Sequence, residues 1–193
     1  MMKYNICFIR QGDRILLINR ENPSWMGCWN GVGGRLEKGE TPRQSMVREI
    51  GEETGIPESA LRLEFKGIIT WSTDNVDYGG MYTYVAELDD DYRLATPIGT
   101  EEGILDWKTI DWIMHPSNQG VAKNIPLALP DLLADGLCID LCSFYEGNTP
   151  IEFAKAPVDP LIETDETLRD RYLSRRRDEI AARRAQAMEP VRA

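Results

Sequence analysis

The sequence predicts an α/β domain with a helical appendage at its C-terminal end. Three observations lead there. Short β-type runs bounded by turn residues recur between residues 4 and 154, and one well-capped helix interrupts them at 41–54. The composition then changes at Pro157-Val158-Asp159-Pro160, beyond which residues 164–188 contain neither Gly nor Pro. A chain of 193 residues is long enough to bury a core without disulfide staples.

In chain order, 4–9 and 14–19 flank Gln11-Gly12-Asp13 and predict a hairpin. A loop over 21–31 and a Gly-rich turn over 31–34 follow. The helix at 41–54 has Thr41 as N-cap, Pro42 in the first helical position and Gly55 as stop. Strands are expected over 61–70 and 81–87, joined by a turn at 75–80, with a further short strand over 104–110. A helix over 126–134 ends near Gly136. Residues 137–145 and 151–154 form a last hairpin around Glu146-Gly147-Asn148. Residues 1–156 therefore constitute the domain and 157–193 the extension. The extension's stripe of Leu168, Tyr172 and Ile180 is too thin for a core helix, so docking through Leu161, Ile162, Leu168 and Tyr172 onto its own domain or a second subunit is expected.

Charge and cysteine usage narrow the function classes. With 22 Lys+Arg against 32 Asp+Glu, the formal net charge is −10, which argues against a protein that grips a nucleic-acid backbone. A single His rules out a multi-His metal site or relay. Cys7, Cys28, Cys138 and Cys142 lack the spacing of a disulfide framework or a zinc ribbon, and they are expected to be reduced thiols. No apolar run approaches the ~20 residues of a membrane span. A cytoplasmic protein without a membrane or nucleic-acid partner is the expectation, with a homodimer left open.

The chemistry concentrates in residues 33–56, GGRLEKGETPRQSMVREIGEETGI. On the helix, Glu49, Glu52 and Glu53 stand at i, i+3 and i+4 and fall within an arc of about 100°. Met46, Val47, Ile50 and Thr54 lie on another arc and face the core. Like charges at that spacing cost a few tenths of a kcal/mol per pair. A hard divalent cation would offset this, since Mg²⁺ and Mn²⁺ prefer carboxylate oxygens. Glu40 can add a fourth carboxylate, and Arg48 is placed to orient one.

Gly34, five residues, Glu40, seven residues, then Arg48-Glu49-Ile50-Gly51-Glu52-Glu53-Thr54-Gly55-Ile56 match every position of Gx5Ex7REUxEExGU, where U is a bulky aliphatic. The pattern closely resembles the signature of the Nudix hydrolases, at chance odds on the order of 10⁻⁹ per start point. The resemblance implies an α/β/α sandwich around a mixed sheet. It also implies Mg²⁺- or Mn²⁺-assisted hydrolysis of a nucleoside diphosphate linked to another moiety. Glu49, Glu52 and Glu53 match the family's metal-binding carboxylates, with Glu49 or Glu53 as general base. Glu40 matches the motif acid with a supporting metal or water role, Arg48 the orienting arginine, and Gly34 the sharp turn beside Arg35, which can reach phosphate. Glu101 or Glu102 matches an acid that binds metal in MutT-type members.

Other segments narrow the resemblance further. Trp29-Asn30-Gly31-Val32-Gly33-Gly34 resembles the turn of oxidised-purine nucleoside triphosphatases, where the Asn hydrogen-bonds the base. Asn5 aligns with a pocket residue of the same group; by resemblance to MutT, Arg20 is a phosphate contact and Asn118, in Pro116-Ser117-Asn118-Gln119-Gly120-Val121-Ala122-Lys123, an amide that reads an oxidised guanine. The paired acids with which the mammalian group holds the base have no counterpart. The function implied is pyrophosphohydrolysis of an oxidised purine nucleoside triphosphate such as 8-oxo-dGTP, yielding monophosphate and pyrophosphate. Hydrolysis of ADP-ribose, nucleotide sugars or dinucleoside polyphosphates is the alternative within the class. Outside it stands a nucleotide-binding regulator that does not cut.

Overall fold

A computed structural model describes residues 2–74, 77–147 and 149–188. Its strands are β1 (Tyr4–Gln11), β2 (Arg14–Arg20), β3 (Trp29–Asn30), β4 (Leu61–Thr73), β5 (Asp77–Leu88), β6 (Ile98–Thr100), β7 (Gly103–Thr109), β8 (Ile139–Glu146) and β9 (Thr149–Pro157). Its helices are α1 (Pro42–Thr54), α2 (Ile110–Met114), α3 (Ile125–Leu132) and α4 (Glu166–Met188), with a 3-10 turn over Pro160–Glu163. The strands form one mixed sheet in the order β6-β7-β2-β1-β5-β4-β8-β9, with β3 paired to β2. β1 runs parallel to β5 and β4 parallel to β8, while the remaining pairs are antiparallel.

Alternation along the strands divides the core between two faces. Cys7, Ile9, Leu16, Ile18, Tyr82 and Tyr84 pack on one side with Met46 and Ile50 of α1 and with Tyr172 and Leu173 of α4. Phe8, Ile15, Leu17 and Val85 pack on the other, beneath Ile113 of α2 and Ala128, Leu129 and Leu132 of α3. The expected α/β/α sandwich is thus present.

Several expectations are corrected. β4 continues to Thr73 and β5 begins at Asp77, so the expected 75–80 turn is mostly strand; residues 75 and 76 lie outside the described residues. β9 extends past both ends of the expected 151–154, and Asn148 of that turn is likewise outside the described residues. β3, β6 and α2 were not anticipated: each has five residues or fewer, too short for a periodic signal. The extension is core after all. Val158, Ile162, Tyr172, Leu173 and Ile180 are buried, whereas Leu161, expected to dock, is 60% exposed.

Candidate active site

Helix α1 begins and ends where its caps dictate. Thr41 Oγ1 accepts from Gln44 N–H at 3.2 Å, and Gln44 Oε1 accepts from Thr41 N–H at 3.0 Å, a capping box worth about 1 kcal/mol. At the other end Gly55, at φ +72°, donates its N–H to the Gly51 carbonyl. The inward edge of α1 is stapled to β1 through Asn5, whose amide nitrogen donates to Ser45 Oγ at 2.9 Å. The Asn5 oxygen accepts from Gly34 N–H at 3.1 Å. Both ends of this amide are used within the protein and the residue is 3% exposed. Asn5, expected from the resemblance to be a pocket residue, thus ties the helix to the Gly-rich turn.

That turn explains the position of two carboxylates. A Cβ on Gly34 would lie 2.5 Å from the carboxyl carbon and both oxygens of Glu49. The Glu49 carboxylate therefore lies against a bare glycine, 9% exposed. One turn further along α1, Glu53 accepts from Gly33 N–H at 3.3 Å. We expect Gly34→Ala to lower turnover about 100-fold, the scale of a ~1 Å misplacement of a reacting group. Melting should change little by comparison, because Gly34 has no positive φ to lose. Wild-type turnover in a folded Gly34→Ala protein would show that the Glu49 carboxylate need not lie where it does.

Arg48 governs the outer carboxylates. It donates to Glu40 through Nε at 2.7 Å and Nη2 at 3.0 Å, and its Nη1 lies 3.0 Å from Glu49 and 2.9 Å from Glu52. The Arg48 hydrogen bond, with a second from Glu37 N–H, holds the Glu40 carboxyl down at about 2. Glu40 is thus held by the arginine, whereas the resemblance implied a role toward metal or water. Glu52 is 63% exposed and held to Arg48. Glu102 stands close enough for its charge to bear on both Glu49 and Glu53, and it pairs with Arg20 at 3.8 Å. Glu101 is exposed beside it. Of the two adjacent acids, Glu102 is the one brought to the cluster. Arg35 is exposed, and its carbonyl accepts from Arg48.

Burial pushes the Glu53 carboxyl up from 4.5 to about 8, with the charges of Glu102 and Glu49 adding to it. Glu49 is raised by burial against the pull of Arg48. Among the described residues no three carboxylates, thiols or imidazoles are already gathered around one point. The donor set nevertheless fits a hard cation. Buried Glu49 and half-buried Glu53 repel each other and Glu102, and the glycine cradle leaves no side chain between them and the turn.

A carboxyl raised in the folded state holds more protons folded than unfolded. The metal-free fold therefore loses stability on this account as pH rises from 4.5 to about 8. A cation competes for the same oxygens. Mg²⁺ affinity should rise with pH and level off above about 8, and Glu53→Gln should remove that slope. Calorimetry showing a flat affinity across this range in the wild type would contradict the assignment of Glu53.

The expected base-reading residues separate. Asn30 Oδ1 accepts from Gly31 N–H at 2.9 Å, and its amide nitrogen donates to none of the described residues. Asn118 spends both ends of its amide on its own loop: Nδ2 donates to the Trp112 carbonyl and Oδ1 accepts from Gly120 N–H. That loop docks on β3 through Trp29 N–H to the Gly120 carbonyl and Ala122 N–H to the Trp29 carbonyl. Beside it Lys108 Nζ lies 4.1 Å from the ring centre of Trp29 and 5.5 Å from that of Trp112. Sequence reasoning missed this cation between two indoles, because it depends on α2.

The NUDIX domain family model matches residues 3–127. The uncharacterized Nudix hydrolase YvcI of Bacillus subtilis (strain 168) is 31% identical over 129 residues, 65% of this chain and 71% of that protein. The oxidized purine nucleoside triphosphate hydrolase of Mus musculus is 29% identical over 116 residues, 57% of this chain and 67% of that protein. Among solved structures, a MutT protein from Bacillus halodurans has a TM-score of 0.65 at 23% identity, covering 80% of this chain and 97% of that one, a likeness of fold.

Proposed function

The chain belongs to the Nudix hydrolase family, and we propose that it is a metal-dependent nucleoside triphosphate pyrophosphohydrolase acting on oxidised purine nucleotides of the 8-oxo-dGTP kind. The observation that carries this reading is the pair of carboxylates on the turn, buried Glu49 against Gly34 and half-buried Glu53 on the Gly33 N–H, with Glu102 and Arg20 beside them. Glu49, Glu53 and Glu102 would hold Mg²⁺ or Mn²⁺, with Glu52 joining from Arg48. When bound, the cation neutralises phosphate charge and polarises phosphorus. Arg48 keeps the outer carboxylates in line, and Arg20 and Arg35 face the phosphates. One of Glu49 and Glu53 takes the proton from the attacking water. Catalysis belongs to residues 1–156; residues 157–193 are an extension, of which Val158, Ile162, Tyr172 and Leu173 pack on the same sheet face as α1.

For the base, the reading rests on Asn30, whose amide nitrogen is left available beside the turn. Similarity to the mouse oxidized purine nucleoside triphosphate hydrolase supports the same substrate class. Asn5 and Asn118 are left out of the proposed contact set because their amides are spent internally. Asn30→Ala should lower kcat/KM for an oxidised purine by about 1–3 kcal/mol relative to a pyrimidine triphosphate. An equal fall on every nucleotide would mean that Asn30 holds the turn and does not read the base.

The test of the whole reading is a hydrolysis screen with Mg²⁺ over oxidised and normal nucleoside triphosphates, ADP-ribose, nucleotide sugars and dinucleoside polyphosphates. The highest kcat/KM on an oxidised purine triphosphate is expected. A preference for ADP-ribose or a nucleotide sugar would replace the substrate class, and no turnover on any of them would remove the enzyme reading.

A further inference from the structure

On the reading above, Arg20 and Glu102 serve different ligands, a phosphate for the arginine and a divalent cation for the carboxylate. In the structure each holds the other: Arg20 Nη1 lies 3.8 Å from a Glu102 carboxylate oxygen. Their backbones are fixed side by side, with Arg20 opposite Gly103 in the β2–β7 ladder and Glu21 N–H donating to the Glu102 carbonyl at 2.9 Å. Arg20 Nε donates to the Ser24 carbonyl at 3.1 Å, so the guanidinium is anchored at the site. Only its contact with Glu102 is loose. The Glu102 side chain is 48% exposed and close enough to bear on Glu49 and Glu53.

We propose that Arg20 and Glu102 form a counter-ion gate: each holds the other until Glu102 turns to join Glu49 and Glu53, where the three would hold a divalent cation, which would leave Arg20 free for the phosphates of the incoming nucleotide. The inference rests on the proposed hydrolase reading. It means that one turn of Glu102 serves both ligands, completing the carboxylates for the cation and releasing an arginine already in place. The weakness of the pair is what makes the exchange work. A half-exposed pair near 4 Å is worth a factor of about two to five in an equilibrium, small enough for a cation to overcome. A fully buried bidentate pair would not let go.

The test uses the full chain and two simple probes, inorganic pyrophosphate on metal-free protein and Mg²⁺ alone, each by calorimetry. Glu102→Gln should tighten pyrophosphate binding to the metal-free protein about two- to fivefold, because Arg20 is no longer held. Glu101→Gln makes the same charge change one residue away, without the pair, and should leave the affinity unchanged. In an Arg20→Gln background Glu102→Gln should have no effect, since the gate has lost its other half. Conversely, Arg20→Gln should tighten Mg²⁺ by a similar factor, and only while Glu102 is present.

In an Arg20→Lys background, which keeps the positive charge, Glu102→Gln should still tighten pyrophosphate, which separates the gate from damage to the fold. The gate is overturned if Glu101→Gln matches Glu102→Gln, or if the effect of Glu102→Gln persists without Arg20, for then only a general field is at work. Failure of the underlying reading looks different: the wild-type protein would bind neither Mg²⁺ nor pyrophosphate.

Discussion

Glu53→Gln is expected to lower turnover by about 10²–10⁴-fold while leaving the metal-free protein as stable as the wild type, or more so. The two directions have one cause. Glu53 is a half-buried carboxylate set against Glu49 and Glu102, and desolvation with that repulsion drives its carboxyl up to about 8. An amide keeps the shape and the acceptor for Gly33 N–H but removes the charge that makes the site costly without a cation. The same charge is what a hard cation needs, so the gain in stability comes with a loss of function. Glu52→Gln should cost less, since Glu52 is exposed and held by Arg48. Thermal melting without metal and initial rates at saturating Mg²⁺ measure the two effects. Near-normal turnover in Glu53→Gln would remove the basis of the proposed mechanism.

The largest stability loss should come from the other end of the chain. Arg176→Met is expected to destabilise the fold by about 3–5 kcal/mol at neutral pH, the cost of leaving a buried charge without its partner. Asp140 is 0% exposed. Its Oδ2 accepts from Arg176 Nε at 3.0 Å and Tyr172 Oη at 2.8 Å, and its Oδ1 accepts from Thr70 Oγ1 at 2.7 Å. Burial raises the Asp140 carboxyl, so a stranded Asp140 takes up a proton more readily as pH falls and the loss should shrink toward acid pH. Asp140→Asn in the Arg176→Met background should recover part of the stability, because no unpaired charge remains. Denaturant unfolding of the three proteins checks this. A loss below about 1 kcal/mol in the single variant would mean that α4 is held by its apolar contacts alone.

Much of the architecture and the site can be read from residue types at fixed spacings, and the exceptions have physical reasons. Helix α1 is legible because Thr41, Gln44, Pro42 and Gly55 act within one turn of its ends. Its carboxylates are legible because helical geometry alone gathers positions 49, 52 and 53. The role of α4 is not legible in this way. Tyr172, Arg176 and Ile180 share one face at i, i+4 and i+8, and the arginine in the middle breaks the apolar stripe. Its partner, Asp140, lies on a strand more than thirty residues away, so a buried ion pair looks from the sequence like a solvated face. Asn5 and Asn118 show the limit for amides. An Asn offers the same donor and acceptor to a nucleobase as to the groups of its own fold, and only the fold shows that a Ser45 hydroxyl and three peptide groups use those of Asn5 and Asn118.

In the proposed mechanism Glu49 and Glu53 drive metal-dependent cleavage of a nucleotide between its α- and β-phosphates. Phosphorus NMR of the products formed from 8-oxo-dGTP tests it most directly, with Mg²⁺ and again with excess chelator. Monophosphate and pyrophosphate should appear in the first sample and neither in the second. Diphosphate and orthophosphate as products, turnover unaffected by the chelator, or tight binding without any product would each contradict it.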